Sequence, residues 1–219
     1  MAVITISRQV GSGSEQVASR VAELLGYRYF DKRLMIQVAA EVGLSENEVV
    51  DFSEEHYKAA NFLSRLFGSR VVTQVSTRQR DSTGAETLNV AQLDEAFCID
   101  LIQTAIRAAY ERGNIVILGR GGQAILHDLP GVFHIRLEAP VEIRVSRLQS
   151  QKGFNASEAQ AWVVEQDRKT AQYLSRFFEV RWDDPMLYHM MINTGKIEPE
   201  IAAQIIVNAV IQLQAKPVA

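Results

Sequence analysis

At 219 residues, with 47% apolar and 22% charged side chains, the chain is long enough for one sizeable α/β domain and too ordinary in composition for disorder or a fibrous repeat. A formal charge of -3 excludes general attraction to nucleic acid polymers, so the 23 Lys and Arg residues must act locally if they meet phosphate at all. The lone cysteine, Cys98, excludes an intrachain disulfide and a Cys-rich metal site, and no apolar run approaches the roughly eighteen residues of a membrane span or forms a signal segment, which points to the cytoplasm.

Val3-Ile4-Thr5-Ile6 predicts a buried strand, followed by the turn Ser7 to Ser14 and a helix. The helical stripe is Val17, Val21, Leu24 and Leu25, closed by Gly26. Tyr27 to Phe30 predicts a second strand, and Asp31 can cap a helix from Lys32 to about Val42. Ser45-Glu46-Asn47-Glu48 has capping-box character, with helical segments expected within residues 46–67. Residues 76–88 are polar with little periodicity and are expected to form a mobile excursion.

A long helix is expected from Val90 to Arg112, with Leu93, Phe97, Leu101, Ala105 and Ala108 on its inner face and Cys98 as a small core residue. Ile115 to Leu118 predicts a buried parallel strand opening into Gly119-Arg120-Gly121-Gly122. Val132 to Leu137 predicts another strand, Pro140 to Gln149 a helix, and Tyr188 to Ile192 the last strand. The closing helix, Pro199 to Leu213, offers Ile201, Ile205, Ala209 and Ile211 to the core. Alternating strands and helices predict a mostly parallel sheet covered on both faces, with ligands beyond the carboxyl ends of its strands.

Gly11-Ser12-Gly13 lies where a strand feeds a helix, and there the first helical amides are unpaired donors aligned with the helix dipole, an arrangement suited to anions. The spacing resembles the GxxGxGK[ST] loop of nucleoside monophosphate kinases, with Arg8 at the first Gly, Ser14 at the Lys and Glu15 at the magnesium-binding hydroxyl. Arg8 and Lys32 are candidates to replace the missing cation, each with an alternative as an ordinary surface charge.

Further segments carry a resemblance along nearly the whole chain: Leu25-Gly26-Tyr27 with Phe30-Asp31-Lys32, Val116 to Gly121, Gln166-Asp167-Arg168-Lys169 with Tyr173, Trp182-Asp183-Asp184 with Tyr188, and Ile192 to Gly195. In this order they resemble the cytidylate-kinase-like family, P-loop monophosphate kinases whose loop also lacks the usual Lys. The resemblance implies an α/β P-loop NTPase-type three-layer sandwich with a mostly parallel five-stranded sheet. It implies one kinase-like domain over residues 1–219, with an acceptor-side insertion at 44–90 and a lid-like region at 150–180.

The donor, ATP, is then expected at Arg8, Gly11, Ser12, Gly13, Ser14, Glu15, Asn193 and Thr194, although Asn193-Thr194 can equally form a polar turn. In cytidylate kinases the third strand ends in Gly-Arg-Asp, the Arg contacting the acceptor phosphate; here Arg120 is kept and Gly121 stands at the Asp. Arg120, Arg147, Arg168 and Lys32 are the expected catalytic cations. Arg144 and Arg147 share one helical face, and Lys169 and Arg176 continue the basic cluster near Arg168. Asp31, Arg120, Arg181 and Asp184 are expected on the acceptor side.

Mg²⁺ is implied with ATP, with Asp31 either holding it through waters or capping its helix. No metal-ligating set is singled out, because His56, His127, His134 and His189 lack ligand spacing. The implied reaction is transfer of the ATP γ-phosphoryl group to CMP or dCMP, with small-molecule nucleotides as partners and neither membrane nor nucleic acid polymer. The alternatives are a non-catalytic nucleotide-binding regulatory protein and a P-loop kinase for another small molecule.

Overall fold

The computed structural model of the protein describes residues 2–30, 73–80, 86–93 and 95–214. The helices expected at 32–42 and within 46–67 lie outside them, as do Asp31, Lys32 and the side chain of Cys98. The chain divides into two compact units, residues 1–31 with 106–219, and residues 32–105.

The larger unit is built on a five-stranded parallel sheet in the order β2-β5-β1-β6-β7. Its strands are β1 (Val3–Arg8), β2 (Arg28–Phe30), β5 (Ile115–Leu118), β6 (Val132–Glu138) and β7 (Met190–Asn193). β1 lies at its centre: Ile4 pairs with Val116 on one side and Phe133 on the other, and Val3 to Ser7 are all buried. A P-loop-type α/β architecture, as expected from the sequence, is what the chain adopts.

α1 (Ser14–Leu25) ends at Gly26 in the left-handed region, as its sequence predicts. It packs beside the C-terminal helix α6 (Pro199–Gln214). Val17, Ala18 and Val21 of α1 and Ala202, Ala203, Ile206 and Val210 of α6 enclose a core with Ile4, Ile6, Val116, Ile135, Leu137 and Ile192. Leu24, Ile201, Ile205 and Ile211, expected in the core, are exposed. α6 is apolar around much of its circumference, so hydrophobicity alone does not set its phase; Ala202 and Ala203 face inward because small side chains let the helices approach closely.

α4 (Val141–Lys152) packs on α5 (Ala156–Phe178), which opens with a capping box between Asn155 and Glu158. Leu148, Ala159 and Val163 form a satellite core there, with Val10 of the Gly-rich loop packed against it. A short helix, α3 (Gly122–Ile125), lies against β1 and α5.

In the smaller unit, β3 (Thr73–Arg80) and β4 (Glu86–Leu93) form an antiparallel hairpin, Thr73 opposite Leu93 and Arg80 opposite Glu86. This corrects two expectations. Most of residues 76–88 is regular strand rather than irregular excursion, and the helix read from Val90 is α2 (Glu95–Arg112), since Val90 to Leu93 belong to β4. The segment mixes strand-forming Thr and Val with polar residues at both parities, so no apolar alternation marks it. Among the described side chains of α2, Ile99, Ile102, Ala105, Ile106 and Ala109 are buried; of the expected inner face, Ala105 is buried and Ala108 exposed, while the side chains of Leu93, Phe97 and Leu101 lie outside the described residues.

Candidate active site

The Gly-rich loop joins the end of β1 to the start of α1, with Gly11 at φ 78° and Gly13 at φ 75°. Both lie in the left-handed region, where a side chain is strained. At Gly11 a Cβ would also stand 2.9 Å from the Arg144 carbonyl oxygen, so the loop lies directly on the α4 backbone. Ser12 is fully buried, Ser14 nearly so, and Glu15 is exposed in the first turn of α1.

Five consecutive loop carbonyls are occupied. Gln9 O accepts from Ser12 N–H at 3.2 Å, and Gly13 O from Val17 N–H at 3.2 Å. Val10 O accepts from Arg144 Nη1 and Gly11 O from Arg147 Nη1, each at 3.3 Å. Ser12 O accepts from Thr194 Oγ1 at 2.6 Å. With its acceptors turned to protein donors, the loop leaves the first-turn amides of α1, which have no intrahelical partner, as the groups available to an anion. Gln9 anchors the other side: its N–H donates to Leu137 O at 3.0 Å, and its Oε1 accepts from Ala139 N–H at 3.2 Å.

The two arginines of α4, one turn apart, extend from these carbonyls to two further elements. Arg144 Nη1 also donates to Asp167 Oδ2 of α5 at 2.7 Å, and burial pushes the Asp167 carboxyl up from its ordinary value, outweighing the downward pull of Arg144. Arg147 donates to Thr194 through Nη1 to Oγ1 at 3.3 Å and Nη2 to the carbonyl at 2.7 Å. Thr194 is itself buried just after β7, with its N–H on Glu138 O.

On the adjacent strand, β5 runs into Gly119, Arg120 and Gly121, all at positive φ (70°, 61° and 71°). Gly119 N–H donates to Ile6 O at 2.9 Å and ties this turn to the end of β1. A left-handed Arg costs about 1–2 kcal/mol, and Arg120 is also buried, 6% exposed. Strain and burial of a guanidinium at a strand's carboxyl end are features of binding sites in parallel sheets.

The profile of the cytidylate kinase-like family matches residues 3–196. The chain belongs to the cytidylate kinase-like family. It is thus a kinase-type phosphotransferase by membership. The cytidylate kinase of Pyrococcus horikoshii is 26% identical over 199 residues, covering 90% of this chain and 82% of that protein. That of Halobacterium salinarum is 23% identical over 214 residues, covering 98% and 92%. Among solved structures, an uncharacterized protein from Eubacterium ventriosum superposes with a TM-score of 0.64 at 18% identity, covering 99% of this chain and 100% of that one. Shikimate kinase from Acinetobacter baumannii gives 0.51 at 15% identity, covering 99% and 96%. These last two similarities concern the fold.

Within this cytidylate kinase-like chain, Gly121 has a packing cause. A Cβ at residue 121 would stand 2.8 Å from Cε2 of Phe178, at the end of α5, and 3.5 Å from Cδ2 of Leu174. The ring therefore takes space that an aspartate side chain would need. Tyr173 and Phe178 stack edge to face at 5.6 Å beside it.

Arg168 is exposed and paired with Glu165, Nε to Oε2 at 2.8 Å and Nη2 to Oε1 at 2.7 Å. Arg181 pairs with Asp183 at 3.6 Å on the surface, and Asp184 caps a 3-10 turn, Pro185–Leu187, by accepting from Met186 N–H. Asn193 Oδ1 accepts from Gly195 N–H at 2.9 Å, forming a polar turn. Arg8 ends β1, half-buried.

The sequence pattern did not single out Gln9, nor a buried cluster at the carboxyl end of β1 and β6. There Arg136, 3% exposed, donates Nη1 to the Trp182 carbonyl and Nε to Glu138 Oε2 at 3.2 Å, and stacks 4.3 Å from the Trp182 ring centroid. Trp182 Nε1–H donates to Ser7 Oγ at 2.8 Å, and Tyr188 O–H to the Trp182 carbonyl at 2.8 Å. The available signal was the alternation of His134 and Arg136 with apolar residues in the strand run Phe133 to Leu137. Among the described residues, no group of three or more His, Cys, Asp or Glu could hold a metal ion, and no helix is long and apolar enough to cross a membrane.

Proposed function

We propose that the chain transfers the γ-phosphoryl group of ATP to a pyrimidine nucleoside monophosphate, CMP or dCMP. The observation that carries this reading is the run of five engaged carbonyls from Gln9 to Gly13, which presents the first-turn amides of α1 to the donor's phosphates. Catalysis of phosphoryl transfer is chiefly positioning and charge stabilisation, and such a preset loop contributes to both. Arg120 on the neighbouring strand end would hold the acceptor phosphate; a guanidinium matches two phosphate oxygens at once. Residues 150–180 would act as the lid, with Arg168 as the cation it brings, and residues 44–90 as the acceptor side. Arg8 and Lys32 would supply charge near the transferred group, and Asp31, Arg181 and Asp184 contacts to the acceptor.

The donor set suits a hard divalent ion: Glu15 offers an exposed carboxylate in the first turn of α1, and Mg²⁺ commonly takes one or two carboxylates alongside substrate phosphates. Bound there, Mg²⁺ would neutralise charge on the donor's β- and γ-phosphates. The names of the relatives support cytidine nucleotides as acceptors. A coupled assay with ATP and Mg²⁺ over CMP, dCMP, UMP, AMP and GMP should show turnover with CMP and dCMP above the rest. Tight ATP binding by calorimetry without turnover on any of them would select a regulatory nucleotide-binding role instead.

A further inference from the structure

Arg147 was expected as a catalytic cation and Thr194 as a contact to ATP, yet their hydrogen bonds go to the loop backbone and to each other. Arg147 Nη1 bridges Gly11 O and Thr194 Oγ1, Nη2 holds the Thr194 carbonyl, and the Thr194 hydroxyl donates to Ser12 O at 2.6 Å. The guanidinium lies beneath the loop: Nη1 is 3.6 Å from where a Cβ on Gly13 would be. Thr194 is 2% exposed, so its hydroxyl is committed to this contact rather than offered to a ligand. Thr194 Oγ1 also lies 3.2 Å from Glu138 O, which ties the end of β6 into the same junction.

We infer that Arg147 and Thr194 are positioning residues that fix the shape of the phosphate loop by holding its carbonyls, in a loop that has no lysine to draw it around the phosphates. The inference rests on the phosphate-loop reading above and not on the identity of the acceptor. Its physical basis is directional. A loop carbonyl that rotates toward the site both repels phosphate and withdraws a neighbouring amide, because one peptide plane carries both groups. Holding Gly11 O and Ser12 O in place therefore fixes two amides, that of Ser12, which closes the loop onto Gln9 O, and that of Gly13. Two donors of different chemistry hold these carbonyls together: a planar fork that reaches Gly11 O and two oxygens of Thr194, and a buried hydroxyl that donates to Ser12 O.

Three variants separate shape from charge and from folding. Thr194→Val keeps volume and removes the hydroxyl, Thr194→Ser keeps the hydroxyl, and Arg147→Lys keeps charge while losing the fork. Calorimetry with Mg²⁺-ATP on the full chain, without acceptor, should show Thr194→Val and Arg147→Lys each binding about tenfold more weakly than wild type, and Thr194→Ser close to it. With an acceptor that turns over, KM for ATP should rise in the first two variants while KM for the acceptor stays unchanged. Unliganded melting curves check that each variant is folded at the assay temperature.

Wild-type affinity in Thr194→Val overturns the inference, as does equal weakening in Thr194→Val and Thr194→Ser. Wild-type affinity in Arg147→Lys overturns the shape role of Arg147, leaving charge alone. The expected binding pattern in a protein inactive on every monophosphate sustains the inference while the acceptor reading fails. Absence of ATP binding by the wild type removes both.

Discussion

The two faces of the central sheet are built from the same strands and hold opposite chemistry. On one, Ile4, Ile6, Val116, Leu118, Phe133, Ile135, Leu137 and Ile192 join the core shared with α1 and α6. On the other, the residues of alternate parity in β1 and β6 begin with Val3 and Val132 and continue toward the carboxyl ends with Thr5, Ser7, His134 and Arg136, all buried. Each of these four has a hydrogen-bond partner: Thr5 Oγ1 with His134 Nδ1 at 2.7 Å, Ser7 with Trp182, Arg136 with Trp182 and Glu138. The apolar face holds the helices by burial, which has no direction. The polar face holds particular segments in particular places, above all residues 182–189 against the carboxyl ends of β1 and β6.

The largest expected effect lies on the apolar face. Ile135 is fully enclosed on a strand paired on both sides, and Ile135→Ala should lower the unfolding free energy by about 4 kcal/mol, read from urea midpoints. Because that loss is non-directional, hydrogen exchange should accelerate throughout the larger unit and KM for ATP should not change. Its neighbour in sequence tests the opposite face. Arg136→Ala leaves the Trp182 carbonyl with Tyr188 O–H alone, unpairs Glu138 and removes the cation from the indole, for a loss of about 3 kcal/mol. Here exchange should accelerate first at residues 182–189, and a uniform acceleration like that of Ile135→Ala would erase the distinction between the faces.

The same contrast explains what was legible in the sequence. Strands β1, β5 and β6 announced themselves as apolar runs, and Gly26 and the Gly11-Ser12-Gly13 turn marked helix boundaries, because burial and left-handed backbone both leave residue-type signatures. Arg144 and Arg147 were legible as a pair at helical spacing. Their partners were not, because Val10 O, Gly11 O and Thr194 O are backbone carbonyls, which every residue has. The hairpin of β3 and β4 lacked an apolar alternation, and the inward faces of α2 and α6 could not be phased where apolar residues occur on several sides. Gly121 read as a lost aspartate; only the position of the Phe178 ring gives it a reason.

A smaller effect separates the faces by pH, since His134 lies on one of them. Burial, and secondarily the charge of His189, lowers the His134 pKa from 6.5 to about 4; His189 is lowered too, by burial first and His127 second. His127 in turn contacts Asp128 at 2.7 Å. The folded state thus keeps His134 neutral while the unfolded chain takes up a proton below about pH 6.5. Stability is unaffected above that value, falls as pH drops through the window from 6.5 to 4, and levels off for this group below it. His134→Gln should flatten that part of the stability profile measured by urea titration at successive pH values. An unchanged slope would assign the titration to other groups.

The smallest effect concerns a single donor. Trp182 contributes its ring to the stack with Arg136, its carbonyl to Arg136 and Tyr188, and its indole N–H to Ser7 Oγ. Trp182→Phe retains the carbonyl and most of the stacking surface and removes only the N–H, so Ser7, fully buried, keeps Tyr188 O–H at 3.4 Å as a weaker donor. The loss should be about 1 kcal/mol, a typical net value for one buried hydrogen bond, seen as a lower urea midpoint with unchanged slope. Pairing it with Ser7→Ala makes the test specific: if the Ser7 contact accounts for the effect, the double variant should be no less stable than the less stable single variant, whereas additive losses would mean that the indole acts through packing alone. Non-additivity is expected on this face because its contacts are paired and directional, and it should be absent between Ile135→Ala and Trp182→Phe, which lie on opposite sides of β6.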